Sequence, residues 1–103
     1  MYKAYFQFEG PQVNQPVIPP PTDAQAGLGT AVPAFILNYA PGQTGDANAH
    51  AGFDQAGTTF ELLSPHGYTF NMYCKPGESN MYEIAISKIA SMSAGASLTI
   101  LTQ

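Results

Sequence analysis

The sequence predicts an all-β domain: a small β-sandwich or barrel of about six or seven short strands, carrying a long Pro-rich extended arm. Three observations predict it. Short runs rich in Phe, Tyr, Ile, Leu and Thr alternate with period two. Gly/Pro turn signals separate these runs at regular intervals. The stretch 10–33 holds six prolines and a single charge, Asp23, without an apolar period. At 103 residues the chain is a single β domain, 1–103, with 10–33 as the arm.

In chain order, MYKAYFQF (1–8) places Tyr2, Ala4, Phe6 and Phe8 on one side and Lys3, Tyr5 and Gln7 on the other. That is the pattern of a half-buried strand, closed by Glu9-Gly10-Pro11. The arm follows. Pro16 and Pro19-Pro20-Pro21 fix φ and lack donor N–H groups, which favours an extended polyproline-II path, and Gly27-Leu28-Gly29-Thr30 supplies a joint. Residues 34–40, AFILNYA, form a second strand with Phe35, Leu37 and Tyr39 on one face, ended by Pro41-Gly42.

Residues 42–57 read as a long loop, with room for one helical turn near 47–51 and with Phe53 to pin it down. TTFELL (58–63) and YTFNMYC (68–74) form a hairpin about Ser64-Pro65-His66-Gly67. Proline at the second turn position and glycine at the fourth suit a type I turn. Tyr68, Phe70, Met72 and Cys74 share its core face, and Lys75-Pro76-Gly77-Glu78 is the next turn. Met81–Met92 supports two readings. Asn80 with Glu83 resembles a capping box, and the apolar spacing fits a helical stripe. Tyr82, Ile84 and Ile86 alternate as in a strand, which is the expectation carried forward because every neighbour with a clear period reads β. SLTILT (97–102) is the last strand.

Three lysines, no arginine and seven acids make 10% charged residues, well below the roughly 25% of an average domain. Three scattered cations cannot neutralise a phosphate backbone, so no nucleic acid partner is expected, and an anionic membrane surface is disfavoured for the same reason. No run is long enough to span a bilayer, and MYKAYFQFEGPQ lacks an uninterrupted apolar signal core. Cytoplasmic synthesis is expected. Low charge fits either a surface kept soluble by uncharged polar groups or one covered by other subunits.

The residues that could carry chemistry are few. Asp46, His50 and Asp54, spaced by four, would line one helix face and hold a metal, but Gly45 and Gly52 interrupt such a helix. The same segment echoes a calcium loop without its position-six glycine or position-twelve glutamate. Cys74 shares a face with Phe70 and Met72, which predicts a buried thiol, and the lone cysteine gives no disulfide. Ser64 and His66 are neighbours in a turn and cannot adopt triad geometry. No catalytic set, metal or other cofactor is expected, and the chain reads as a non-enzyme.

Ala24-Gln25-Ala26-Gly27-Leu28-Gly29-Thr30-Ala31-Val32-Pro33, with the upstream Pro16–Pro21 run, resembles the arms of tailed-phage head-decoration, or cement, proteins. The likeness is compositional and covers about a quarter of the chain. It implies a capsid-decoration subunit located in the virion after synthesis in the host cytoplasm. Its expected partners are itself, as a homo-oligomer such as a trimer, and a larger assembly such as a capsid shell. Arms of that family tend to begin the chain, whereas here a strand precedes the arm and ties it at both ends.

The first functional expectation is therefore a structural assembly protein whose β faces pair and whose arm grips a neighbour. Fully extended, its 24 residues reach on the order of 75 Å, several times the roughly 13 Å radius of gyration of such a domain. Val17, Ile18, Pro19, Pro20, Leu28 and Val32 are the expected anchors on the arm, and Tyr5 and Tyr73 the expected partner-binding tyrosines on outward strand faces, with Tyr82 a further outward candidate. The alternative is a small carbohydrate- or protein-binding β module that uses exposed tyrosines and the 42–57 loop.

Overall fold

A computed structural model describes residues 2–18, 34–50 and 55–102. These residues form eight β-strands and no helix: β1 (Lys3–Glu9), β2 (Gln12–Pro16), β3 (Ala34–Tyr39), β4 (Thr58–Leu63), β5 (Thr69–Cys74), β6 (Ser79–Tyr82), β7 (Lys88–Met92) and β8 (Ala96–Thr102). They make two four-stranded sheets, ordered β1-β8-β3-β6 and β2-β7-β4-β5, with every pairing antiparallel.

The strand order follows from one ribbon that changes sheets. β1 pairs with β8 from Lys3↔Thr102 to Glu9↔Ser97, and β2 then pairs with β7 from Gln12↔Met92 to Pro16↔Lys88. Between them the chain turns at Gly10, whose N–H donates to Ala96 O at 2.8 Å, while Ser93–Ala96 turns beneath it through Gly95 at φ 83°. Both halves of the ribbon thus cross together from one sheet to the other. The resulting eight-stranded, two-sheet order is that of a jelly roll.

The core lies between the sheets. Phe35, Leu37 and Tyr39 of β3, Phe60 and Leu62 of β4 and Ala96, Leu98 and Ile100 of β8 are buried there, as period-two alternation requires, and the register shift between β4 and β7 lets Ile89 and Met92 of β7, three residues apart, both enter the core. The β4–β5 hairpin is held as expected: Gly67 N–H donates to Ser64 O at 2.9 Å, and Ser64 Oγ accepts from Tyr68 N at 3.0 Å. No helix among the described residues is long and apolar enough to cross a membrane.

Several expectations are corrected. Residues 12–16 do not belong to a free arm but form β2, whose N–H and C=O groups find partners on β7. Pro16 is tolerated because β2 is an edge strand, and Asn14 at φ 50° interrupts its regular backbone. Met81–Met92 is neither one helix nor one strand: β6 and β7 lie in opposite sheets, joined by a crossover whose Ile86 is fully buried. The described residues therefore hold more strands than the six or seven expected.

In β1 the register slips between Ala4 and Phe6, and of the expected core stripe only Phe8 packs partly against the core. Tyr68, expected on the core face, is 71% exposed, because the hairpin turn carries it past the end of the sheet. The remainder of the arm, 19–33, and Phe53 in the long loop lie outside the described residues.

Candidate functional site

Because each sheet is open, the sandwich has two flanks where edge strands face each other. One is bounded by β1 and β2, the other by β5 and β6. Their chemistry differs sharply.

The β1/β2 flank holds an apolar cleft of about 300 Å³ lined by Tyr5, Phe6, Phe8, Gln15, Pro16 and Ile18. Phe6 and Phe8 stand opposite the core residues Ile100 and Leu98 of β8, so both point to the inner side of their sheet. At the edge nothing closes over them. Phe6 is 52% exposed and meets Phe8 edge-on at a centroid distance of 4.8 Å. Tyr5, at the slip in register, is 48% exposed, and Ile18 is 76% exposed where the described chain breaks off. Gln15 Nε2 donates to Pro16 O at 3.1 Å, which turns the amide along the cleft wall.

The β5/β6 flank is polar. Asn71, Tyr73, Lys75, Glu78, Asn80 and Tyr82 line a groove of about 390 Å³, and the long loop adds His50 and Gln55 to its rim. Tyr73 Oη donates to Ala56 O at 2.7 Å, and its ring stacks on His50 at 4.6 Å and 15°. Glu78 Oε1 accepts from Lys75 N at 2.9 Å, which fastens the turn and sets a carboxylate beside the tyrosines. Desolvation first, and then Glu78 and Cys74, push the Tyr73 hydroxyl above its ordinary range, and desolvation followed by Cys74 and Glu78 does the same to Tyr82.

Four of the expected anchors, Pro19, Pro20, Leu28 and Val32, lie outside the described residues. Tyr5 and Ile18 are brought together in the apolar cleft. Val17 is not available to a partner: it is buried in the core, and its N–H donates to Ser87 O at 2.9 Å. Tyr73 sits on the opposite flank from Tyr5, with one ring face taken by His50. Tyr82 turns inward against Phe35 at 5.6 Å. Phe6 and Phe8 were missed as surface residues because alternation marks a strand's inner face without showing whether the opposite sheet reaches it. The adjacent aromatics Tyr5-Phe6, one for each side of the strand, were the available signal.

The chemically reactive candidates are also placed. Asp46 is occupied in backbone structure: its N–H and C=O bridge Gly57 at 2.8 and 3.0 Å, and its Oδ1 accepts from Asn48 N at 3.0 Å. Asp54 lies outside the described residues, among which no group of three His, Cys, Asp or Glu side chains is placed to hold a metal. Cys74 is fully buried, and its thiol is pushed up to about 11, by burial first and Glu78 second, against a weak lowering by Asn80 Nδ2 at 3.8 Å. Ser64 Oγ accepts from His66 N at 3.3 Å as well as from Tyr68 N, so the hydroxyl serves the turn. Comparisons with protein-family models, with curated proteins and with solved structures each found no match.

Proposed function

We propose that this chain is a structural assembly subunit, a decoration or cement protein of a virion. In this reading it oligomerises with copies of itself, docks on a larger protein shell, and grips its neighbours through the proline-rich segment that follows Ile18. It carries no catalytic role and needs no cofactor. The supporting observation is the β1/β2 flank, where three aromatic side chains and Ile18 line a cleft that nothing among the described residues covers, at the point where that segment departs. An exposed apolar cluster of this kind marks an interaction surface on a soluble domain. The scarcity of charge, 10% of residues, is in keeping with a surface that meets other protein. Cys74, the one thiol nucleophile, is sealed in the core, which weighs against thiol catalysis.

A second reading rests on the opposite flank. Its groove combines tyrosine rings, amides, a carboxylate and an ammonium group, the surface chemistry of a small carbohydrate-binding module. The jelly-roll order serves viral capsid and lectin domains alike, so architecture does not choose between the two. Light scattering on a size-exclusion column does. The assembly reading expects a concentration-dependent oligomer. A monodisperse monomer that binds glycans would overturn it in favour of the second reading.

A further inference from the structure

We infer that the β1/β2 cleft receives the proline run Pro19-Pro20-Pro21 of a second copy of this chain, with Asp23 of that copy placed on Lys3. The inference rests on the assembly reading above and names the surface that reading lacks.

The cleft has the make-up of a polyproline receptor. Such grooves are lined by aromatic rings that take proline rings between them and by donors that meet the peptide carbonyls. Here Tyr5, Phe6 and Phe8 supply the rings, and Pro16 and Ile18 form the other wall. Tyr5 Oη makes no hydrogen bond among the described residues, so it is free to donate to a carbonyl along the incoming peptide. Prolines lack N–H groups, so a proline run leaves only carbonyls to satisfy, and a tyrosine hydroxyl suits that need.

The chain itself supplies the matching segment. The fifteen residues between Ile18 and Ala34 contain the only triple proline in the sequence, and their one charge is Asp23. Lys3 is the only cation on β1, is exposed, and has no ion pair among the described residues. The spacings agree. Three polyproline-II residues from Pro20 to Asp23 advance about 9 Å, and three strand residues from Phe6 back to Lys3 span about 10 Å. A peptide running antiparallel to β1, with Pro20 over Phe6, therefore brings its carboxylate to the ammonium group.

A second copy is the occupant because the chain's own run begins one residue after Ile18, which is itself part of the cleft wall. Laying that run back along Tyr5–Phe8 would need a tight reversal at Ile18-Pro19-Pro20-Pro21. Proline and the residue before it disfavour that reversal. A neighbour's run meets no such restriction.

The test uses the 103-residue chain and four variants, Y5A/F6A, K3E, D23K and K3E/D23K, with self-association measured by sedimentation velocity over a concentration series. Far-UV dichroism like that of wild type, with equal urea midpoints at concentrations too low for association, confirms that each variant is folded. Y5A/F6A is expected to weaken association by about 30-fold or more. K3E and D23K should each weaken it by about two- to fivefold, as expected for one exposed ion pair. An equimolar mixture of K3E and D23K should recover wild-type association, since each protomer then offers the other a matched cleft and segment.

If wild type assembles and Y5A/F6A assembles equally well, the cleft is not the receptor, while the assembly reading stands. If the doubly substituted chain K3E/D23K is rescued but the mixture is not, the occupant is the chain's own segment and the inference fails. If wild type is a monomer at every concentration, both readings fall.

Discussion

Gly10→Ala tests the corner on which the whole strand order depends. A Cβ built at Gly10 would stand 1.8 Å from Ser93 O and 2.7 Å from Ser93 C, both backbone atoms of the turn beneath it. Neither can swing aside as a side chain would. Relief requires the two turns to separate by on the order of 1 Å, which overpacks the corner at a cost of roughly 1–3 kcal/mol. It also removes the Gly10 N–Ala96 O hydrogen bond, at a further cost of about 1 kcal/mol. The expected loss is therefore about 2–4 kcal/mol, a large share of the 5–15 kcal/mol typical of a domain.

Urea unfolding followed by tyrosine fluorescence, the chain having no tryptophan, should show the midpoint falling by roughly 1–3 M without a change in slope. Gly42→Ala is the matched control. A Cβ there meets nothing within 4 Å, but φ is +87°, so it bears only the backbone strain of about 1–2 kcal/mol. A Gly10→Ala protein within about 0.5 kcal/mol of wild type, or one less affected than Gly42→Ala, would refute the steric reasoning.

Phe60→Ala empties a fully buried site between the sheets and should cost about 3–5 kcal/mol in the same urea titration, with far-UV dichroism retained in the folded baseline. Ser64→Ala leaves the His66 and Tyr68 amides of the hairpin turn without their acceptor and should cost about 1–2 kcal/mol, with faster amide exchange at both. Cys74 should resist iodoacetamide at pH 8 and react only as fast as the protein opens, as mass spectrometry of the labelled chain will show. Its thiol also links stability to pH. The folded value of about 11 lies above the ordinary 9.0, so between them the folded state holds a proton that the unfolded state has released, and stability falls as pH rises through that window. Denaturant midpoints measured from pH 8 to 11 should decline, with the raised Tyr73 and Tyr82 acting in the same direction.

The candidate surface was half legible in the sequence. Tyr5 and Ile18 were singled out separately and do meet in the cleft, but Tyr5 lies on β1 and Ile18 follows β2, and these two strands join no common sheet. Phe6 and Phe8 looked like core because they share the inner side of β1, but at the open β1/β2 flank Phe8 packs only partly against the core and Phe6 stays half exposed. Val17 looked like part of an arm because five of the six prolines in 10–33 lie at or below residue 21. Pairing with β7 overrides that composition, since it satisfies backbone groups that a proline-rich path would leave to water.

The sequence by itself determined the β class, the β4–β5 hairpin, the inward face of β3 and the burial of Cys74. Each depends on period-two alternation or on turn residues within a few positions of one another. Only the tertiary structure decided which strands share a sheet, that Met81–Met92 divides between two sheets, and that one flank is apolar and the other polar. Alternation specifies which way a side chain points relative to its own strand. It carries no record of which distant strand lies alongside, and it is that long-range pairing, from Lys3 to Thr102 and from Pro16 to Lys88, that leaves the cleft open.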